Sequence, residues 1–345
     1  MKIVAMDMGK SKTVVCYFDS VKGSHRYETI PTLPQKVHDA VVGGEAGRVV
    51  VEIGPGAGWV CDLCKALGIE VQVANTNHEA WRWKNVKKKG DRDDALKLAR
   101  LSIAGDLPLV YVPRKDVRQK RSMIAYRQNL LKRRIAITNN IRSIFDREGL
   151  VMYSGDKAWN KTGMKYLASE AKEPLTCGVE ELWRAELYIE LAQLALVKDA
   201  LEQIEAKLDA LGKKDRSTKI LMSVPGIGPR LSEAMSAAID DASRFENGKQ
   251  VGSYFGLTPR RYQSGSTNRQ GKISGCGNKL VRSMLIQVSW LGLRYSAWMR
   301  GIYERARRGS KSRKKIAIVA VARKLAVLCW VLLKEDRFWQ ERKAA

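Results

Sequence analysis

Arg48-Val49-Val50-Val51-Glu52-Ile53-Gly54 is an unbroken β-branched run that ends in a carboxylate and a glycine. A strand with one wet face alternates apolar and polar residues, so an unalternated run predicts a central strand covered on both faces, as in an α/β sheet. Outward from it, Gly58 to Leu67 reads as a helix and Glu70-Val71-Gln72-Val73-Ala74 as the next strand, which completes a β-α-β unit. Upstream, Lys2-Ile3-Val4-Ala5-Met6-Asp7 reads as a buried strand, Thr13 to Phe18 as its hairpin partner, and Leu33 to Val42 as a helix. The first strand and the Val-Val-Val strand both close on an acid. Acids at the carboxyl ends of neighbouring strands meet at one edge of such a sheet.

A second acidic group follows in Lys87-Lys88-Lys89-Gly90-Asp91-Arg92-Asp93-Asp94-Ala95. Ala95, Leu98 and Ala99 recur at helical spacing, so a helix starts near Asp91 and carries Asp91 and Asp94 on one face, with Asp93 off it. Side-by-side carboxylates repel unless a cation lies between them. Asp7, Glu52, Asp91 and Asp94 together suit two hard divalent cations, most simply Mg²⁺. The plainer reading of the same run is an acidic first turn that complements the helix dipole. Trp81, Trp83, Lys87, Lys88 and Lys89 add aromatic and cationic groups that suit a nucleic-acid strand. Gly54-Pro55-Gly56-Ala57-Gly58 joins strand to helix but has neither the Walker Lys-Ser/Thr nor a full GxGxxG, so its glycines read as room for close backbone approach.

The chain of 345 residues carries 62 Lys and Arg against 36 Asp and Glu, a formal charge of +26, with 45% apolar residues and nine Trp. That composition describes a folded protein with a polyanionic partner, and nucleic acid fits better than an acidic membrane because no lipidation signal is visible. No secretory leader opens the sequence, and Ile316 to Leu333, interrupted by Arg323 and Lys324, reads as a buried helix. The six cysteines are scattered and read as reduced core residues; Cys61 and Cys64 form a CxxC without a second ligand pair.

Lys115 to Gly149 reads as a basic amphipathic helix, with Lys120, Arg121, Arg127, Lys132, Arg133, Arg134 and Arg142 available to phosphates. Residues 150–178 read as an irregular connector. From Val179 to Leu211, leucines at three-four spacing fit either a helical hairpin within the chain or a coiled coil between chains, with self-association the favoured reading. Val224-Pro225-Gly226-Ile227-Gly228 is a turn between helices of helix-hairpin-helix type, where Gly226 and Gly228 let backbone N–H groups approach a phosphate; a plain turn is the alternative. Residues 256–278 form a loop rich in Ser, Thr, Gly and Arg, including Arg260 and Arg261, that opens a helix near Lys279. It either grips phosphates or supplies a serine nucleophile, and the residues themselves do not select which serine.

Asp7, Glu52, Asp91/Asp94-Ala95, Val-Pro-Gly-Ile-Gly and Leu257-Thr258-Pro259-Arg260-Arg261-Tyr262-Gln263-Ser264-Gly265-Ser266 together resemble the DEDD-type insertion-sequence transposases, the bridge-RNA-guided recombinase family related to the Piv DNA invertase. The resemblance implies an α/β RuvC-like, ribonuclease-H-type domain over 1–112, a connector of basic helices and coiled coil over 113–215, and a mostly helical transposase domain over 216–345. It implies Mg²⁺ held by Asp7, Glu52, Asp91 and Asp94, and Ser264 as the strand-cleaving nucleophile. Donor and target DNA, a guide RNA from the element and a homo-oligomer, a dimer assembling to a tetramer, are the implied partners, in a bacterial, cytoplasmic, nucleoid-associated setting. Two departures stand out: Gly90 replaces the usual Thr or Ser, and Gly275 a common Lys. The rival readings are a metal-only RuvC-like junction nuclease, an actin-like ATP-dependent kinase suggested by Asp7-Met8-Gly9-Lys10-Ser11-Lys12-Thr13, and a non-enzymatic DNA binder.

Overall fold

The computed structural model describes residues 1–76, 90–264 and 267–340. They fall into two units, Met1–Arg118 and Gln119–Ala345.

The first unit contains β1 (Lys2–Met8), β2 (Lys12–Asp19), β3 (His25–Pro31), α1 (Pro34–Gly43), β4 (Arg48–Glu52), α2 (Ala57–Ala66), β5 (Glu70–Ala74) and α3 (Asp91–Ala104). The five strands form one mixed sheet in the order β3-β2-β1-β4-β5. β1, β2 and β3 pair antiparallel, whereas β4 lies parallel to β1 and β5 parallel to β4. The Val-Val-Val strand is covered on both sides, as its composition requires. Val49 and Val51 join Val4, Met6 and residues of α1 and α2 in one core layer. Val50 joins Ile3, Ala5 and Ala95, Leu98 and Ala99 of α3 in the other.

β3 is absent from the sequence reading. Of its residues only Ile30 is buried, so this edge strand lacks the apolar signature that marks its neighbours. Cys61 and Cys64 are buried in α2, and burial pushes the Cys64 thiol up to about 12. Both thiols pack in the core layer with Val60 and Val73, so this CxxC reads as core packing.

The second unit is helical apart from one hairpin. Helix α4 (Lys115–Arg147) leads into it, followed by α5 (Lys161–Glu170), α6 (Leu182–Lys214), α7 (Arg216–Met222), α8 (Pro229–Ile239) and α9 (Gly248–Tyr254). Then come β6 (Pro259–Ser264), β7 (Thr267–Ile273), α10 (Lys279–Gly292), α11 (Ala297–Arg307) and α12 (Lys314–Lys334). Helices α4 and α6 run antiparallel. Lys120 meets Asp215, Arg127 meets Glu205, Asn140 meets Glu190 and Arg147 meets Glu186, so one number rises as the other falls.

The buried leucines of α6 are Leu187, Leu194, Leu201 and Leu208, spaced at seven. They face inward: Leu187 and Leu194 share a core with Ile137, Ile141 and Ile144, and Leu208 shares one with Ile124. The leucine stripe that favoured self-association is therefore satisfied within one chain. The interval 150–178 is not wholly irregular, since α5 lies inside it, with Gly163 and Leu167 buried. Segment Lys311–Lys334 is long and apolar enough to cross a membrane. Its residues Ala317, Ile318, Val321, Leu325 and Trp330 nevertheless lie in the core shared with α8, α10 and α11.

Candidate active site and nucleic-acid surface

Sheet register places the first two acids. Parallel pairing runs from Ile3 opposite Arg48 to Met6 opposite Val51, and one step further sets Asp7 beside Glu52 on strands about 4.8 Å apart. Side chains alternate faces along a strand, and Ile3, Ala5 and Val50 face α3, so Asp7 and Glu52 take the α3 side. Helix α3 runs against β4: Arg48 Nη1 donates to the Ser102 carbonyl at 3.3 Å and to its hydroxyl at 3.2 Å. Back from Ser102, Asp94 lies about 12 Å along the helix, while Glu52 lies about 13 Å along β4 from Arg48. Asp94 is thus level with Glu52, and Asp91 is nearly one turn beyond. Asp7, Glu52 and Asp94 are half-buried and Asp91 is exposed.

All four acids therefore lie at one edge and on one face of the sheet. Among the described residues, no three His, Cys, Asp or Glu side chains are gathered closely enough to hold a metal ion. The edge offers hard oxygen donors in the right chemical class without having closed them into a cage. Asp93 takes a different role. Its Oδ2 accepts from the Gly90 N–H at 3.0 Å, a helix cap, while Asp94 is the half-buried acid of this turn and Asp91 stays exposed.

The turn after Asp7 is anchored by Thr32, whose hydroxyl lies 2.8 Å from Thr13 Oγ1 and donates to the Gly9 carbonyl at 3.0 Å. The glycines after Glu52 do supply room: a Cβ at Gly56 would stand 2.7 Å from Met8 Cε, and one at Gly58 2.8 Å from Arg118 Nε. Lys87, Lys88, Lys89, Trp81 and Trp83 lie outside the described residues.

Ser264 sits at the far end of a β-hairpin where the sequence predicts a loop. It is exposed, closes β6 and pairs with Thr267 of β7. Arg261 Nε donates to Asn268 Oδ1 at 3.1 Å across the hairpin, and Arg260 Nη2 to the Ser274 carbonyl at 3.3 Å near its base. The base is tied down by Arg282, which donates to the carbonyls of Phe255 at 3.1 Å and Cys276 at 2.8 Å. Every residue of β6 is exposed, so no hydrophobic alternation announces the strand.

Of the basic residues on α4, Lys120, Arg121 and Arg127 are committed internally. Lys120 bridges to Asp215 at 2.8 Å, Arg121 donates to the carbonyls of Ala237 and Ala238, and Arg127 pairs with Glu205. These three hold α4 to the helical core and do not line a phosphate track. Arg133 and Arg134 are exposed. Burial alone would raise Asp215, but hydrogen bonds from Lys120, Thr218 and Ser236 hold it below the usual carboxylate range. Nearby Glu233 is pushed upward by burial.

The turn from α7 to α8 has Gly226 at φ 88° and buries Ile227, while Gly228 is the exposed residue preceding α8. A Cβ at Gly226 would stand 3.6 Å from Gly292 Cα, an ordinary contact, so the positive φ and not crowding calls for glycine here. A run of cations from Arg305 to Lys315 escaped the sequence reading, although plain charge counting along the chain marks it.

Residues 4–148 match the DEDD transposase domain model of IS110 elements, and residues 218–304 match the model of the transposase IS116/IS110/IS902 family. The chain belongs to the IS110/IS116 transposase family. It is 28% identical to the transposase for insertion sequence element IS1111A of Coxiella burnetii over 99% of this chain and 92% of that one. It is 29% identical to a probable family 20 transposase of Pseudomonas aeruginosa, over 72% of this chain and 74% of the relative. The pilin gene-inverting protein of Moraxella bovis is 31% identical over 41% of this chain and 44% of its own. As an IS110-family transposase, the protein is a DNA cleavage and rejoining enzyme, and its DEDD domain implies divalent metal use.

Proposed function

We propose that this transposase cleaves and rejoins element DNA through a covalent phosphoserine linkage at Ser264, with Asp7, Glu52, Asp91 and Asp94 as holders of Mg²⁺. The observation that carries the reading is the sheet register that sets Asp7 beside Glu52 on the face covered by α3. Bound there, Mg²⁺ would stabilise negative charge on the phosphodiester. Ser264 Oγ attacks phosphorus; the Oγ–P bond forms as the bond to one sugar oxygen breaks, and that oxygen takes up the proton. An exposed hairpin tip suits the task, because the nucleophile must reach into a DNA backbone.

The mixed sheet with acids at its carboxyl edge supports a RuvC-like, ribonuclease-H-type domain over 1–112, followed by a connector over 113–215 and a transposase domain over 216–345. Exposed Arg133 and Arg134 and the Gly226–Gly228 turn supply phosphate contacts, with Arg260 and Arg261 beside the serine. An element-encoded guide RNA selects the target, and the sites are completed in a homo-oligomer, a dimer assembling to a tetramer.

The test is denaturing electrophoresis of the protein with Mg²⁺, labelled element-end DNA and element RNA. Wild type should form a denaturation-resistant protein–DNA adduct that Ser264→Ala, Asp7→Ala and EDTA each remove. Cleavage that persists in Ser264→Ala without an adduct would establish the metal-only nuclease instead. Omitting the RNA should abolish target choice if the guide reading holds.

A further inference from the structure

The corner between α11 and α12 is the most one-sided charge cluster in the described chain. From Arg305 to Lys315 run Arg305, Arg307, Arg308, Lys311, Arg313, Lys314 and Lys315, with no acid among them. The corner lies beyond residue 304, where the second family match ends. Two of the seven are internal. Arg307 bridges to Glu304 at 2.9 Å, and Arg313 Nε donates to the Ala306 carbonyl at 3.3 Å, which closes the end of α11. The remaining five, Arg305, Arg308, Lys311, Lys314 and Lys315, are exposed, and among the described residues none is paired with a carboxylate.

This arrangement works against stability in two ways. Lys314 and Lys315 open α12, whose first turn carries no acid, so cations sit at the positive end of a long helix dipole. Arg308 adopts φ 50°, a left-handed conformation that a non-glycine residue takes at a cost, directly before Gly309 at φ 72°. The strained turn keeps a guanidinium at the apex of the corner. The Arg308 conformation is repaid locally, since its N–H caps α11 on the Glu304 carbonyl at 3.1 Å, but the five exposed cations and the unopposed start of α12 gain nothing inside the fold and mark a surface shaped for a partner.

We infer that this corner is a sequence-independent anchor for the phosphate backbone of duplex DNA, separate from the Ser264 hairpin. DNA is preferred over an acidic bilayer because the apolar body of α12 is packed within the helical core and cannot insert beside the cations without unfolding it. The inference rests on the DNA-acting function of the family and not on serine chemistry. Its test is binding in EDTA, which stands whether or not Ser264 or the carboxylates act as proposed.

The variant combines Arg305→Gln, Arg308→Gly, Lys311→Gln, Lys314→Gln and Lys315→Gln in the full chain. Binding of scrambled duplex DNA is followed by fluorescence anisotropy between about 50 and about 200 mM salt. Each lost phosphate contact should reduce the slope of log affinity against log salt by about 0.9, so the variant should lose about 4.5. The loss should be the same for element-end and scrambled duplexes. Thermal unfolding of the variant should be unchanged or shifted upward, and the double variant Lys314→Gln/Lys315→Gln, which leaves the turn intact, should lose about 2 of slope. An unchanged slope for duplex DNA in both variants overturns the assignment. So does a loss confined to element RNA or to vesicles of anionic phospholipid.

Discussion

The carboxylate edge of the first unit and the serine hairpin of the second are built on opposite plans. Asp7 and Glu52 directly follow the fully buried runs Ile3–Met6 and Val49–Val51, and α3 is held over them by Ala95, Leu98 and Ala99. Ser264 ends a strand with no buried residue, supported by its own backbone ladder and a few arginine hydrogen bonds. The acids are aimed by the core and the serine is presented by a projection from it. A metal site tolerates little displacement, whereas a nucleophile that must enter a DNA backbone gains from reach. Under the proposed chemistry, that contrast is the reason the two groups would use such different scaffolds.

The sharpest way to break this comparison is chemical. Asp7→Ala and Glu52→Ala should each lower DNA cleavage by about 10²–10³-fold, as removal of a charge-stabilising group does elsewhere. Circular dichroism should show the fold retained. A variant that cleaves normally would remove the edge from the reaction.

The next test is mechanical. Val50 is fully buried against α3, so Val50→Ala should destabilise the protein by about 1–3 kcal/mol and weaken cleavage with it. Tyr262, in the hairpin and 56% exposed, should change stability by less than about 0.5 kcal/mol on replacement by Ala. Chemical denaturation of both variants reads the difference, and equal effects would refute the division into aimed and presented groups.

A third prediction concerns the rigid part of the second unit. Asp215 caps α7 through the Ser217 N–H at 3.0 Å and bridges to Lys120, so Asp215→Asn should cost about 1–2 kcal/mol at neutral pH. Its folded pKa is below the ordinary value. The stability it contributes is present above the unfolded carboxylate's range and is lost as pH falls through the folded value. Thermal melts should show a smaller difference between neutral and acidic pH in the variant than in wild type.

The smallest effect is expected at Gly90. Its backbone is extended, and a Cβ there would be 3.6 Å from Asp93 Oδ2, an ordinary contact. Gly90→Ser should complete the cap and raise stability by a few tenths of about 1 kcal/mol. A fall in the melting temperature would show that Gly90 serves something other than the cap.

What could be read in advance follows the same division. β1, β4 and β5, the acids that end β1 and β4, and the start of α3 were legible because burial imposes an apolar pattern on the sequence. β3 and the β6–β7 hairpin were not, because strands that bury almost nothing leave no periodic trace. The α6 leucines announced a helical partner without naming it. The shared cores with Ile137, Ile141 and Ile144 of α4 and the charge ladder along it show that the partner lies in the same chain. For the serine, resemblance to a family and not physical pattern singles out Ser264, since several hydroxyls nearby are chemically equivalent on paper.

The α4–α6 hairpin carries one more implication. Each helix has 33 residues, so each rod is about 50 Å long. That is close to one and a half turns of duplex DNA, at about 34 Å per turn. Because its buried leucines recur every seven residues, the rod can be lengthened without loss of phase only in whole heptads of about 10 Å, or about three base pairs. The hairpin thus has the build of a ruler with discrete graduations.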